Sequence, residues 1–344
     1  MKKQRNILLF LTFISFLNSS LSWYNPLNNR WISFNKAMKP SYTCHYDEDL
    51  IETDSQQEPG EDFIKTNSQA EYRDNENFVP LYEHFGLHYN KSLINTDKRW
   101  ALCKERYDRY MRHADPLPTK PRIPKIIHQI QLGNPFPEKY RAIQKTWQDL
   151  HPDWVYMLWT DKEVEAFGLT NKVQYDHARN YGEKSDIARY EILYRIGGLY
   201  IDTDFECLKP FDIFHYYCDF YAGLGYGTCF EVFNGLIGCR PGHPIMKYVI
   251  DRISNMNHFS RSSLNNTGPL FFGNACYEKM KTYNGPAVLF PITYFYPWPA
   301  WERFTPNRSF IEGWVQSESY AIHHWAVSWD TKPSYSSRRH RSKL

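Results

Sequence analysis

Asp202-Thr203-Asp204 closes a short apolar run, Leu199-Tyr200-Ile201. Side chains two apart on extended chain point the same way, so these residues can present two carboxylates within roughly 7 Å of each other. Like charges so placed repel unless a cation neutralises them, and oxygen ligands suit Mg²⁺ or Mn²⁺, which in turn hold diphosphates. On the repulsion argument alone, Asp204→Asn leaves the thermal midpoint of the metal-free protein unchanged or raised. A lone D-x-D triplet is common by chance, and its surroundings decide. Asp186 and Arg189 lie three apart in a helical stretch just upstream, which brings a carboxylate and a guanidinium toward the same place. Read blandly, they are a surface ion pair of little energetic worth. His323 and His324 add imidazoles within Ala321-Ile322-His323-His324-Trp325, and on extended chain neighbours face opposite sides, so only one of them can reach a given cleft. An imidazole in the ligand set favours Mn²⁺ over Mg²⁺.

The elements that must position these groups follow from texture. Ile126 to Ile130 is a short apolar run bounded by Pro124 and Gly133, which suits a buried strand; Glu138 to Leu150 reads as a helix and Trp154 to Trp159 as a second strand. Strand, helix, strand in succession is the pattern of a parallel sheet with crossover helices. Ser185-Asp186 can cap a helix carried by Ile187 to Ile196 and ended by Gly197-Gly198, after which Leu199-Tyr200-Ile201 is a strand running into the aspartates. Ligands of open α/β sheets bind beyond the carboxyl ends of strands, where Asp202 and Asp204 fall.

The run from Ser185-Asp186-Ile187-Ala188-Arg189-Tyr190 through Gly197-Gly198-Leu199-Tyr200-Ile201-Asp202-Thr203-Asp204, followed by Leu208-Lys209-Pro210, closely resembles the sugar-binding D-x-D region of Och1-like retaining glycosyltransferases (glycosyltransferase family 32), distant relatives of bacterial glucosylating toxins. Ile123 to Ile130 is similar to that family's first strand. Asn234-Gly235-Leu236-Ile237, Pro241-Gly242-His243-Pro244, Thr267-Gly268-Pro269 and His323-His324-Trp325 are similar to its later segments, so the resemblance covers roughly residues 120 to 330. It implies a GT-A-type nucleotide-sugar fold, α/β with a mainly parallel central sheet and flanking helices. It also implies a divalent cation, Mn²⁺ or Mg²⁺, a UDP- or GDP-linked sugar donor, a glycan, lipid or protein acceptor, and transfer with retention. Carried over residue by residue, Asp204 binds the metal, Asp202 contacts the metal or the donor, Asp186 and Arg189 hold the donor, Asn234 lies beside the transferred sugar, and Gly268 belongs to the substrate site. The closing His-x-Trp pattern selects His323 as metal or diphosphate ligand, with Trp325 on its side and His324 facing away. One position departs from the family: after Ile130 stands Gln131, where a Trp usually stacks on the base. In such a site the cation stabilises the diphosphate charge that builds as the anomeric C–O bond breaks.

Composition narrows the field further. The 344 residues are 42% hydrophobic and 23% charged, with apolar and polar residues mixed, which excludes a disordered tail or a multi-span membrane protein. Lys+Arg 41 against Asp+Glu 38 leaves +3, too little for a protein whose partner is nucleic acid. The 26 Tyr and 11 Trp serve as core or as platforms for sugars and bases, with Pro297-Trp298-Pro299-Ala300-Trp301 either an acceptor platform or a packed loop. Residues 1–22 have a basic start, an apolar run from Ile7 to Leu17 and a small-x-small site at Ser20-Leu21-Ser22, the layout of a signal peptide or, uncleaved, a membrane anchor. Either sends the chain into the secretory pathway and, if uncleaved, associates it with the membrane. Residues 23–119 form an N-terminal extension with an acidic, flexible linker and a helical stretch from Leu93 to Met111; 120–330 is the catalytic domain and 331–344 a basic tail. The seven cysteines are scattered without a metal-binding pair. Two other readings compete: a secreted sugar-binding protein without turnover, and a Mg-dependent phosphohydrolase. The latter's motif continues to Thr or Val where this chain has Glu206.

Overall fold

The computed structural model describes residues 22–25, 30–33, 96–111, 118–225, 230–256, 263–303 and 307–326. The expected signal peptide, acidic linker and basic tail lie outside them, save Ser22. In chain order the strands are β1 (Ser22–Asn25), β2 (Arg30–Ser33), β3 (Ile126–Ile130), β4 (Val155–Trp159), β5 (Gly198–Ile201), β6 (Phe205–Cys207), β7 (Phe220–Leu224), β8 (Val232–Cys239), β9 (Ala287–Phe290) and β10 (Ala321–His323). The longer helices are α1 (Lys98–Met111), α2 (Arg141–Leu150), α3 (Asp161–Phe167), α4 (Lys172–His177), α5 (Tyr181–Ile196), α6 (Asp212–Tyr217), α7 (Pro244–Ser254) and α8 (Pro269–Met280). Among the described residues no helix is long and apolar enough to cross a membrane.

The main sheet has the order β2-β1-β4-β3-β5-β8-β7-β9. Parallel pairing joins β3 to β4, β3 to β5 and β7 to β9, while β8 is antiparallel to both of its neighbours. The central strands therefore run one way except β8, so the sheet is mostly parallel. Two contributions come from the N-terminal extension. The antiparallel pair β1–β2 adds to the edge at β4, and α1 buries Trp100 and Cys103 in the core, with Tyr107 Oη hydrogen-bonded to Tyr294 Oη at 2.7 Å.

Strand alternation feeds two apolar layers. Ile126, Ile130 and Tyr200 face a cluster built on α5, α7 and α8. Ile127, Leu199 and Ile201 face the other, which holds Trp147, Trp154, Phe211 and Phe214. Aromatics are thus mainly core: Trp100, Trp147, Trp154 and Trp159 are at most 2% exposed. Trp298 is buried too, so that part of the Pro297-to-Trp301 segment is packed rather than presented as a platform.

Helix α5 begins earlier than the sequence suggests. Asn180, not Ser185, is its cap: the Asn180 side chain accepts from the Glu183 N–H, and Gly182 in the first turn disguises the start. Gly197, at φ 72°, closes the helix with its N–H on the Leu193 carbonyl, and the chain enters β5 at once.

Buried histidines make this fold acid-sensitive. His128 Nε2–H donates to the Gly197 carbonyl at 2.8 Å, while Nδ1 accepts the Trp159 indole N–H at 3.0 Å, so a second proton would meet a donor. Burial pushes His128 down to about 4 and His215 down to about 3, against an ordinary value near 6.5. Below pH 6.5 the unfolded chain takes up protons that these side chains cannot, and stability is lost as pH falls through that window. Asp186, which burial lifts to about 6, and Glu191, which burial also raises, oppose this, but burial lowers His151 and His243 as well, so four histidines act against two carboxyls. We expect the thermal midpoint to drop steadily between pH 7 and pH 5 in a calorimetric series; a flat midpoint would contradict the assignment.

Candidate active site

The D-x-D segment is not extended. After β5 the chain turns, with the Phe205 N–H on the Asp202 carbonyl at 3.2 Å. β6 then leaves the main sheet to pair with β10, forming a separate two-stranded sheet in which His323 stands opposite Phe205. The turn, rather than strand alternation, brings the carboxylates together at the carboxyl end of β5. One ligand atom each from Asp202, Asp204 and His323 lie within 4.8 Å of one another.

Each carboxylate is fixed from behind. Asp202 Oδ1 accepts the Tyr200 hydroxyl at 2.7 Å and lies 3.3 Å from the Arg189 guanidinium. Its Oδ2 rests against Gly235, where a Cβ would sit 2.6 Å away, so any larger residue displaces the carboxylate. Gln129 Nε2–H donates to the Asp202 carbonyl at 3.2 Å. Asp204, 6% exposed, accepts the Ala326 N–H at 2.7 Å and faces His323 Nε2 at 3.1 Å. Burial works to raise its pKa, but the His323 charge, the His323 hydrogen bond and the Ala326 N–H outweigh it and hold the carboxyl down to about 2.

The two histidines go to opposite sides. His323 stacks on Phe205, ring centroids 4.5 Å apart, with Trp325 against it at 4.2 Å, although Trp325 gets there through a positive φ and not through alternation. His324 Nε2 meets Glu206 Oε2 at 2.9 Å, and Arg308 reaches the same oxygen at 2.6 Å. Glu206 is thereby held to about 2 in spite of its burial.

Asp186 and Arg189 are not a surface pair. Both are buried, 3.3 Å apart. Asp186 accepts Asn234 Nδ2–H on one oxygen and the Thr267 hydroxyl on the other, each at 2.8 Å. Arg189 donates to the Asn234 carbonyl at 2.6 Å and to Ser185 Oγ at 3.0 Å, and its guanidinium lies 4.3 Å from the Tyr200 ring centroid. Asn234, expected beside a transferred sugar, spends its amide on Asp186 and Tyr190. Gly268 caps α8 through its backbone, and the side chain that enters the cluster is that of Thr267. Gln131 lies just past β3, bonded to the Asn134 carbonyl.

Sequence reasoning passed over Tyr200, Tyr190, Thr267, Gly235 and Gln129. All but Gln129 adjoin a residue it named, or sit two before one; a polar residue at such a place in an apolar stretch is the available signal.

Sheet and site together define an open α/β protein with carboxylates gathered at a strand's end, the build of a D-x-D transferase. Residues 137–219 match the family described as a glycosyltransferase sugar-binding region containing the DXD motif. The chain is 32% identical over 219 residues to inositol phosphoceramide mannosyltransferase 3 of Schizosaccharomyces pombe, covering 60% of each chain. It is 34% identical over 169 residues to mannosyl phosphorylinositol ceramide synthase SUR1 of Saccharomyces cerevisiae, covering 45% of this chain and 42% of that one. Among solved structures, the PaToxG glycosyltransferase superposes with a TM-score of 0.41 at 18% identity, over 54% of this chain and 80% of its own. Over this region the chain is therefore similar to glycosyltransferases whose sugar-binding region contains the DXD motif. It spans less than two thirds of the length of the two yeast relatives.

Proposed function

We propose that the chain transfers a hexose, mannose foremost, from a nucleotide-sugar donor to a lipid or glycan acceptor, with retention, using a divalent cation held by Asp202, Asp204 and His323. The carrying observation is the convergence of these three ligand atoms within 4.8 Å at the end of β5. Two carboxylates and an imidazole suit Mn²⁺ better than Mg²⁺. When bound, the cation supplies positive charge for the departing diphosphate. In the transfer the anomeric bond to the diphosphate oxygen breaks, a bond to an acceptor hydroxyl oxygen forms, and the hydroxyl proton leaves. Arg189, buried and kept charged by Tyr200, Asp202 and Asp186, holds Asp202 in place and presents a cation's charge to the donor. Mannose is favoured because the yeast relatives carry it in their names. The layout of residues 1–22 supports placement in the secretory pathway.

A donor screen tests this. With Mn²⁺ present, GDP-mannose and the common UDP-sugars are offered one at a time, and free sugar and nucleoside diphosphate are measured. Turnover of one donor supports the proposal. Phosphate release from a phosphomonoester instead would make the protein a hydrolase, and binding without turnover would make it a sugar-binding protein.

A further inference from the structure

The His323 imidazole is held in an unusual way. Its Nε2 faces Asp204 Oδ1 at 3.1 Å, while Nδ1 is buried and has no hydrogen-bond partner among the described residues. A histidine that binds a metal ordinarily has its other ring nitrogen fixed by a hydrogen bond, which sets the aim of the ring. Here that tether is missing. The ring is aimed by its contacts with Phe205 and Trp325 and by the place at which the backbone of residue 323 is held.

What holds that backbone lies on the other face of the ribbon. Phe205 and Glu206 are neighbours on β6, so their side chains leave opposite faces. Phe205 stacks on His323, and Glu206, paired with Ile322 in the register, turns its carboxylate away from that stack. Glu206 Oε2 accepts two N–H groups there, His324 Nε2–H at 2.9 Å and Arg308 Nη1–H at 2.6 Å. Arg308 opens the short helix Arg308–Glu312 and is steadied by Glu312 Oε1 at 2.9 Å. One carboxylate oxygen thus joins β6, the residue that follows β10, and a third segment of chain. The His324 N–H donates to the Asp204 carbonyl at 3.0 Å, so residue 324 is fixed at both its side chain and its backbone.

We infer that Glu206, acting through His324 and Arg308, is the positioning residue for the His323 imidazole, the inference resting on the ligand set proposed above. Glu206 is not itself a ligand, because its charge is spent on two donors on the far face of the ribbon. Charge-assisted bonds of this kind are short and strong, and they fix residue 324, and with it residue 323, where no hydrogen bond to the His323 ring does so. Glutamine at 206 keeps an acceptor oxygen for both donors; alanine releases both.

The test titrates the full chain with Mn²⁺ alone and reads the free ion by electron paramagnetic resonance. Glu206→Ala should weaken Mn²⁺ about ten-fold, and Glu206→Gln should recover most of that loss. Arg308 is half-exposed, so Arg308→Ala leaves the core closed and should weaken Mn²⁺ in the same direction. His323→Ala weakens Mn²⁺ by itself, and on that background Glu206→Ala should cost nothing further, which general destabilisation would not reproduce. Wild-type affinity in both Glu206→Ala and Arg308→Ala, or an equal loss from Glu206→Ala with and without the His323 side chain, would overturn the role of Glu206 and leave the ligand set standing. Wild-type affinity in His323→Ala, or no Mn²⁺ binding by the wild type, would overturn both.

Discussion

Asp204→Asn should reduce sugar transfer at least about a thousand-fold, because it removes a charge aimed at the cation on which the departing diphosphate depends. The structure also changes what the variant should do to stability. Mutual repulsion of two carboxylates predicts a neutral or raised midpoint, but Asp204 is buried and both its oxygens are engaged, by His323 and by the Ala326 N–H. Asparagine keeps one acceptor but faces His323 Nε2 with a neutral amide in place of the carboxylate charge. The expected cost is about 1 kcal/mol, a fall of a few degrees in midpoint. Mn²⁺ should raise the midpoint of the wild type and not that of the variant. Transfer within ten-fold of the wild type would remove Asp204 from the site.

Arg189→Met should be the most damaging single change to the fold of the site. The guanidinium is 5% exposed, donates to the Asn234 carbonyl and Ser185 Oγ, and lies 3.3 Å from both Asp186 and Asp202, so its loss leaves two neighbouring carboxylates without a balancing cation. Breaking a buried pair in this way costs about 3–5 kcal/mol. Lysine cannot reproduce the fork and should recover little. Asp186→Asn added to Arg189→Met should recover part of the loss, since it removes one of the stranded charges. Denaturant titration of the single and double variants measures both effects, and a loss below 1 kcal/mol for Arg189→Met would mean that the cluster is solvated after all.

Much of this was legible in the chain. The unit from Ile187 to Asp204 reads correctly as helix, glycine stop and strand because its signals are local: apolar spacing, a Gly-Gly break and a short apolar run. Four things were not. The turn at Asp202 to Asp204 follows from β6 pairing with β10, a contact across more than a hundred residues. The start of α5 at Asn180 was obscured by Gly182, a poor helix former in the first turn. The burial of Asp186 and Arg189 depends on Thr267 and Asn234 closing over them, and a helix read by itself shows only a charged i, i+3 pair on its surface. The antiparallel course of β8 likewise comes from tertiary pairing, and it places Asn234 and Gly235, near that strand's beginning, level with the ends of its neighbours.

The two-stranded sheet of β6 and β10 has only three paired residues on each side, yet it delivers His323 to the carboxylates and lays the Ala326 N–H on Asp204. So short a pairing is marginal by itself. On the proposed ligand set, seating of this segment and capture of the cation belong to one linked equilibrium, each favouring the other by the same factor. A fraction of molecules with residues 321–326 unseated would scale down the apparent affinity for the cation by that fraction. A third ligand at His323 would put metal affinity under the control of chain far from the carboxylates in sequence, so that whatever presses on that segment from outside the cleft would change metal occupancy inside it.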